Sequence, residues 1–301
     1  LVGSEMCIRD RASCDMGEYR HLHIRPASTA VGAFVDTIDL RTIDDAEADE
    51  LRCALGEFGV VFFRDQHLSP DDHLGFANRW GDINVNRFFA STATHPEIAE
   101  VRKEPDQELN IGGGWHTDHS YDQVPALGSV LVARELPDLG GDTLFSSMYA
   151  AYDALSDGLK ETLLDLRAVH SSRHVFGAAG AYRAAGADMF ENQDQATQDA
   201  VHPVVIAHPI SGRASLYVNR AFTIGFEGWT PQESQPLLDY LYQHAARPEF
   251  TFRFSWEPGS VAMWDNRAVH HNALNDYHGH RRLMHRITIE GGPLDAYLPA
   301  A

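Results

Sequence analysis

The sequence predicts a mainly β protein with flanking helices, folded around a double-stranded β-helix (jelly-roll) core. Short strand patterns occur in both halves of the chain, on either side of a polar stretch without a sustained period. Capped helical patterns lie among them, as expected of helices that flank a β core. With 301 residues, 44% of them hydrophobic, the chain is long enough for one large domain with insertions.

The first part of the chain predicts short strands and two helices. The helix over residues 44–58 places Leu51, Leu55 and Phe58 on one stripe and ends at Gly59. A second helix begins after Ser69, which is suited to capping, and runs to about residue 80. Strands are expected over residues 21–24, 32–35 and 60–63.

Two polar or irregular stretches predict lids over a site. They define insertions near residues 84–113 and 171–199 within a single jelly-roll domain over residues 18–301. Residues 1–17 are expected to be a disordered or non-native tail, since the first fifteen resemble a translated leader or adaptor. The Asn84–Asn110 stretch directly precedes the most informative motif, which makes it a candidate wall or lid.

The remaining strands and helices complete the predicted core. Strands are expected over 128–134 and 143–145, with a Gly140-Gly141 turn between them, followed by helices over 148–155 and 157–166. A capping box from Thr230 to Glu233 opens a helix that ends near residue 245. Further strands are expected over residues 204–208, 215–219, 251–256, 260–264, 269–272 and 283–289.

Composition argues against several classes of partner. Forty-three acidic residues outnumber 24 basic ones, and the net charge of −19 repels phosphate backbones and anionic membranes. No apolar run reaches membrane-spanning length, and no secretory signal is visible. Cys7, Cys14 and Cys53 form no disulfide framework, and such a sparse, odd count fits a reducing compartment. These features predict a cytoplasmic protein that binds neither nucleic acid nor a membrane.

The stretch from Gly112 to Asp118 carries the first chemical signal. His116 and Asp118 fall on one face of an extended strand, because side chains alternate along it. An imidazole and a carboxylate are two thirds of the triad that holds Fe(II) and leaves positions open for ligands. The pair alone is a weak indicator, since 17 histidines make chance pairs common.

The third ligand and two arginines lie near the end of the chain. His270 and His271 point to opposite faces of a strand, so only one of them can reach the metal. Arg282 and Arg286 share a face of the last strand, where a buried charge needs a partner. That partner is either an anionic ligand or a core carboxylate such as Asp265.

Several motifs in order make the chain resemble the taurine dioxygenase family from about residue 22 to residue 289. This family of 2-oxoglutarate-dependent Fe(II) oxygenases includes 2,4-dichlorophenoxyacetate dioxygenases. The motifs are Val61-Phe62-Phe63-Arg64-Asp65-Gln66, Gly114-Trp115-His116-Thr117-Asp118, Glu135-Leu136-Pro137, Gly140-Gly141-Asp142-Thr143, Trp264-Asp265-Asn266-Arg267 and Arg281-Arg282-Leu283-Met284-His285-Arg286.

The resemblance implies residue roles and co-substrates. It assigns His116, Asp118 and His271 as the catalytic iron ligands, and selects His271 over His270. Thr143 and Arg282 would bind the distal carboxylate of 2-oxoglutarate, as suits a hydroxyl with a guanidinium fork. With O2, such an enzyme hydroxylates its substrate and releases succinate and CO2. The resemblance also implies that the protein is a homo-oligomer.

The substrate wall departs from the taurine pattern. Asn86 and Phe89 stand where taurine dioxygenases have a His and a Tyr, and Gly112 replaces an Asn that contacts 2-oxoglutarate. Arg286 would touch the co-substrate or an anionic substrate. We therefore expect a small organic acid (a sulfonate, sulfate ester or carboxylate) other than taurine. The alternative is a zinc-dependent hydrolase on a cupin-like fold, which would need neither Thr143 nor Arg282.

Overall fold

The core lies between an eight-stranded sheet and a three-stranded sheet, as the predicted jelly roll requires. The computed structural model describes residues 14, 19–177, 180 and 192–299. The large sheet has the order β1-β2-β3-β14-β6-β16-β4, with β5 also paired to β16, and the smaller sheet has the order β13-β7-β15. Buried side chains from both sheets, including Phe62, Phe145 and Trp264, form one cluster. The two sheets therefore share a core.

The strands and helices have the following bounds. The strands are β1 His23–Pro26, β2 Ala33–Asp36, β3 Val60–Phe63, β4 Ile83–Asn84, β5 Ala99–Lys103, β6 Gly128–Glu135, β7 Thr143–Ser147, β8 Arg167–Ser171, β9 Asp199–Pro203, β10 Val205–Ala207, β11 Ala214–Leu216, β12 Thr223–Phe226, β13 Thr251–Phe254, β14 Val261–Asp265, β15 Val269–Ala273 and β16 Arg282–Ile289. The helices are α1 Asp45–Phe58, α2 Pro70–Ala77, α3 Met148–Asp153, α4 Asp157–Leu164, α5 Arg173–Phe176 and α6 Pro231–Ala245. None of the described helices is long and apolar enough to cross a membrane.

Local sequence signals explain the three helices that have capping boxes. Asp44, Ser69 and Thr230 each accept a hydrogen bond from the third helical backbone N–H, and the acidic residue at that position binds back to the cap. Helix α1 ends at Gly59, whose φ of 74° is left-handed. These three helices are confirmed close to their predicted bounds.

Five strands lie where the sequence predicted none: β4, β5, β8, β9 and β12. In β5, Ala99 and Lys103 are buried and Val101 is half-buried, while Arg102 between them is exposed. Because the buried Lys103 occupies one inward position, the apolar alternation is interrupted, and the sequence of β5 resembles that of a loop. β8, β9 and β12 form a separate sheet around the second insertion and are too short and polar to predict by period. Residues 178–179 and 181–191 of that insertion lie outside the described residues.

A disulfide overturns the expectation of unpaired cysteines. Cys14 is bonded to Cys53 of α1, with a Cα–Cα distance of 5.3 Å. Sequence separation hid the pair, because the two cysteines are 39 positions apart and nothing local marks them as neighbours. The remainder of the predicted tail, apart from Cys14, lies outside the described residues, and the domain bounds stay a prediction.

Alanine substitutions at two glycines test how closely the end of α1 packs against the core. A Cβ on Gly59 would lie 2.6 Å from Val269 Cγ1, whereas a Cβ on Gly228, with a similar φ of 79°, would meet no atom within 4 Å. We expect Gly228→Ala to cost about 1–2 kcal/mol through left-handed strain. Gly59→Ala should cost about 1–3 kcal/mol more, because overpacking is added. Urea unfolding of the two variants measures the difference, and equal losses would contradict the packing argument.

Candidate metal centre and cavity

Two strand segments bring His116 and His271 side by side. His116 N donates to His271 O at 3.1 Å, and His271 N donates to His116 O at 2.8 Å. Residues directly opposite each other in an antiparallel pair place their side chains on the same face. Both imidazoles therefore point the same way, while that of the adjacent His270 points to the other side of β15. The prediction of a full strand around His116 was wrong, because this pair is an isolated bridge and Asp118 lies in a turn.

The three predicted ligands converge in a buried cluster. One ligand atom each from His116, Asp118 and His271 lies within 4.8 Å of the other two. The Nε2 atoms of His116 and His271 are 3.7 and 3.8 Å from different oxygens of Asp118. All three residues are less than 9% exposed. Two imidazole nitrogens and a carboxylate on one side of a cavity match the donor set of a non-haem iron site.

Backbone contacts fix the orientation of the first histidine. His116 Nδ1 lies 2.9 Å from Gly114 O, and only a protonated Nδ1 can donate to that carbonyl. The Nε2 lone pair then faces the cluster. Gly114 N in turn donates to Asn272 Oδ1 at 2.8 Å, which ties this turn to β15. The ligand loop and the ligand strand therefore hold each other.

The protonation states favour a bound cation. Burial alone would raise the pKa of Asp118, but Arg286 and then His271 and His116 hold that pKa well below its usual range. Burial, followed by the neighbouring His116, lowers the pKa of His271 well below its usual value. At neutral pH, Asp118 is therefore ionised and His271 is neutral, and metal coordination requires those forms.

The cluster lies in one wall of a cavity of about 520 Å³. Polar residues occupy the wall near the cluster, while apolar side chains fill most of the rest. The lining includes Phe89, Val101, Leu109, Asn110, Ile111, Gly112, Gly113, His116, Asp118, Leu131, Thr143, Val175, Phe176, Ala221, Phe222, Trp264, His271, Ala273, Asn275, Arg282 and Arg286. This volume is within the range of sites for small molecules.

One part of the cavity is suited to a carboxylate. Arg282 is 4% exposed, and neither its Nε nor its Nη2 has a hydrogen-bond partner among the described residues. Thr143 Oγ1 accepts from Trp256 Nε1 at 3.0 Å, which leaves its own hydrogen available. Gly141 lets the Arg282 side chain pass, since a Cβ there would lie 3.0 Å from Arg282 Cδ. A buried guanidinium with free donors beside a hydroxyl calls for an anionic ligand.

Arg286 has a partner that the sequence did not predict. Its Nη1 lies 3.2 and 3.3 Å from the two oxygens of Asp118, and its guanidinium carbon is 4.6 Å from the Phe89 ring centre. Asp265, the core carboxylate considered from the sequence, is bound instead by Arg267 and His208. The two arginines of β16 therefore differ, since Arg286 is paired with a ligand carboxylate and Arg282 has no ion pair among the described residues.

The two predicted substrate residues lie in different places. Phe89 lines the cavity, whereas Asn86 is not among the lining residues. Asn86 Oδ1 accepts from the backbone N–H groups of Phe88 and Phe89, at 2.9 and 3.1 Å, and its Nδ2 lies 3.4 Å from His119 Nε2. Asn86 therefore shapes the loop that presents Phe89, and its own contact with substrate stays a prediction.

Two polar lining residues were missed from the sequence. Gly112 lines the cavity as predicted, and Asn110, two residues earlier, also lines it while donating to Ala273 O at 2.9 Å. Asn275 lies beyond β15, and its Nδ2 donates to Glu108 O at 2.8 Å. No local pattern marks either asparagine, because their position depends on how the loop over residues 104–114 packs against β15.

Comparisons with known proteins agree on one family. Residues 23–288 match the family model described as "Taurine catabolism dioxygenase TauD, TfdA family". The chain is 33% identical over 268 residues to an alpha-ketoglutarate-dependent sulfonate dioxygenase of Saccharomyces cerevisiae, which covers 85% of this chain and 63% of that protein. It is also 33% identical over 276 residues to a (S)-phenoxypropionate/alpha-ketoglutarate-dioxygenase of Sphingobium herbicidovorans, covering 90% of this chain and 95% of that protein.

A solved structure has the same fold. The crystal structure of a taurine dioxygenase from Burkholderia xenovorans superposes with a TM-score of 0.75 and 32% identity, covering 93% of this chain and 97% of that one. This agreement supports the jelly-roll assignment and extends over nearly the whole chain.

Adjacent histidines offer a matched test of the metal site. His270 and His271 are both buried, at 4% and 6% exposure, but only His271 belongs to the cluster. We expect His271→Ala to weaken Fe(II) binding by more than about 100-fold, beyond the 10–100-fold typical of losing an outer-shell partner. His270→Ala should retain the metal. Anaerobic titration calorimetry measures both affinities, and a reversed order would remove His271 from the ligand set.

Proposed function

The chain belongs to the TauD, TfdA family of 2-oxoglutarate (alpha-ketoglutarate)-dependent dioxygenases, and we propose that it hydroxylates a small organic acid other than taurine. The co-substrates are 2-oxoglutarate and O2, and the products include succinate and CO2. The proposed metal is Fe(II), held by His116, Asp118 and His271. The observation that carries the proposal is the buried imidazole–carboxylate–imidazole cluster, which opens into the same cavity as the unpaired Arg282.

The cluster fits the proposed metal, and the cavity fits its co-substrate. When bound, iron supplies the oxidising chemistry that couples decarboxylation of 2-oxoglutarate to substrate hydroxylation. The protein supplies orientation. Arg282 and Thr143 would hold the distal carboxylate of 2-oxoglutarate, so that its 2-oxo acid end points toward the ligand cluster. The apolar lining would exclude water from the reacting groups.

Arg286 is the group proposed to meet an acidic substrate. It reaches from β16 to Asp118 on one side and to the Phe89 ring on the other. A metal ion bound at Asp118 would share that carboxylate, leaving guanidinium donors for a second anion. A carboxylate presents two coplanar oxygens, and a sulfonate or sulfate ester presents three terminal oxygens on sulfur. The N–H groups of a guanidinium can bind two oxygens of either group at once.

The far wall favours an apolar body attached to that acid group. Phe89, Phe176 and Phe222 line the cavity together with Val101, Val175 and Ala221. Phe89 and Phe176 stand in one cluster with the buried Phe88, which stacks on Phe176 at 4.6 Å. We therefore propose an alkyl or aryl acid, because a taurine-sized substrate would leave much of this surface without contacts.

The competing hydrolase proposal has less support. A zinc hydrolase could use the same three ligands, but it gives Arg282 no anion to bind. The relatives compared above act as dioxygenases. The family membership and the unpaired guanidinium together favour the oxygenase.

Location and assembly remain proposals. We propose a cytoplasmic homo-oligomer that acts on small molecules, from the acidic composition and the family resemblance. The Cys14–Cys53 disulfide removes the cysteine count as support for a reducing compartment, because disulfides are rare in such compartments. Light scattering of the purified protein determines the subunit number.

The first test combines Fe(II) and 2-oxoglutarate without oxygen. We expect a weak charge-transfer band in the visible spectrum, because 2-oxoglutarate chelates the metal. Arg282→Met should require at least about 30-fold more 2-oxoglutarate for the same band, since truncating one partner of a buried hydrogen-bonded charge pair costs about 2–5 kcal/mol. Absence of the band from metal-loaded wild type would require the oxygenase proposal to be withdrawn.

The second test concerns the substrate class. We expect succinate release with phenoxyacetate, hexyl sulfate or hexanesulfonate, and little with taurine or with the primary amide of phenoxyacetate. Arg286→Met should reduce the preference for acid over amide by about tenfold or more, because a charge-assisted hydrogen bond is worth about 1.5–3 kcal/mol. Metal content of the variant must be measured in parallel. Turnover confined to neutral or cationic compounds would rule out an acid substrate.

A further inference from the structure

Lys103 is a buried cation that the proposed mechanism does not use. The chain has 24 basic residues, but only Lys103 and Lys160 are lysines. Lys103 is the last residue of β5 and is 1% exposed. Lysine is almost never fully buried unless it is paired. Its position therefore calls for an explanation beyond packing.

The contacts of Lys103 leave its charge uncompensated. Nζ donates to Asn275 Oδ1 at 2.8 Å and lies 4.7 Å from the centre of the Tyr277 ring. Both partners are neutral, and Lys103 forms no ion pair within the described part of the chain. Burial accordingly lowers the pKa of Lys103. The ammonium has one direct hydrogen bond and a ring face, which is modest compensation for lost water.

A second unpaired cation lies directly across the sheet. Lys103 and Arg282 are partners in the antiparallel register of β5 and β16, so their side chains stand on the same face. Like charges directly opposite each other are destabilising. The Tyr277 ring is near both cations, with its centre 4.7 Å from Lys103 Nζ and 6.0 Å from the Arg282 guanidinium carbon. The nearby carboxylates Asp142 and Asp276 are already bound by Arg253.

We propose that Lys103 is a positioning residue for 2-oxoglutarate, and that its charge helps the site select 2-oxo acids that carry a second carboxylate. This inference rests on the proposed function, because it assumes that Arg282 binds the distal carboxylate. Lys103 acts from behind Asn275, which lines the cavity while Lys103 does not. Its ammonium adds positive potential at this end of the cavity, and its hydrogen bond fixes the Asn275 amide.

The same arrangement has opposite effects in the two states of the site. Without an anion, two buried cations stand opposite each other on one face of the sheet, an arrangement that is destabilising in general. With a distal carboxylate bound, each cation gains an attractive neighbour. The strand pairing thus disfavours the ligand-free protein slightly and favours the dicarboxylate complex. A structural lysine would instead stabilise the protein whether or not co-substrate is bound.

The test compares two ligands that differ in one group. 2-Oxopentanoate has the carbon skeleton of 2-oxoglutarate with a methyl group in place of the distal carboxylate. Lys103→Met keeps the length of the side chain without its charge, and Lys103→Gln also keeps a donor for Asn275. Lys160→Met is the matched control, because Lys160 donates to Asp153 O and stands near Tyr152, and it is not among the residues that line the cavity. Titration calorimetry on anaerobic, Fe(II)-loaded protein gives each Kd.

We expect Lys103→Gln to bind 2-oxoglutarate about tenfold more weakly, the size expected of one charge pair at an intermediate effective dielectric. Lys103→Met should bind it at least as weakly, because Asn275 also loses its donor. Binding of 2-oxopentanoate should stay unchanged. The Tm of the ligand-free protein should stay the same or rise. Lys160→Met should match wild type throughout. Equal weakening of both ligands, a lower Tm in both variants, or wild-type binding by Lys103→Gln would overturn the inference.

Failure of this inference is distinguishable from failure of the proposed function. If wild type binds 2-oxoglutarate and Arg282→Met does not, the co-substrate site is established whatever the Lys103 variants show. Tight binding of 2-oxoglutarate by Lys103→Met would then overturn the role of Lys103 alone. If wild type itself fails to prefer 2-oxoglutarate over 2-oxopentanoate, the co-substrate assignment falls, and this inference falls with it.

Discussion

The site depends on one pair of backbone hydrogen bonds, between His116 and His271. These bonds join a turn that follows an irregular loop to a strand of the smaller sheet. They place two imidazoles on one face at the spacing of opposed residues in an antiparallel pair. Asp118, two residues later, completes the set. A displacement of this bridge by one residue would direct His270 toward the cluster and His271 away from it, because side chains alternate.

The buried charged groups of the described residues fall into two sets. One set has complete hydrogen bonds and ion pairs, and the other set, around the cavity, does not. Asp265 is fully buried, but Arg267 and His208 bind it at 2.6 and 3.0 Å, and its pKa is held low by those partners. Hydrogen bonds join the three groups of that network, so the network is structural. Around the cavity, by contrast, Arg282 lacks partners for two nitrogens and Lys103 forms no ion pair, as far as the described residues show. Unsatisfied charge there indicates where a ligand belongs, because a folded protein otherwise avoids it.

Much of this arrangement could be predicted from the sequence, and the exceptions have physical causes. Caps identified the helices that begin after Ser69 and Thr230, and an apolar stripe that ends at Gly59 identified α1, since these signals depend only on neighbouring residues. The prediction that His116, Asp118 and His271 act together rested on strand alternation and on the family resemblance, and the structure brings the three side chains together. β5 was missed because buried Lys103 disguised its alternation, and Asn275 was missed because its role depends on a distant carbonyl, that of Glu108. The disulfide was missed for the same reason of distance.

The elements that hold the reacting groups differ from those that face the substrate body. Arg282, Arg286, Thr143 and His271 project from paired strands, whose register fixes them. Phe89 and Phe222 come from segments between strands, and Asn86 holds the first of these segments through backbone bonds to Phe88 and Phe89. Changes in such loops disturb few ladder hydrogen bonds. The proposed substrate wall can therefore vary while the proposed metal and carboxylate contacts stay fixed, and this separation is consistent with one core in relatives named for sulfonates and for phenoxypropionate.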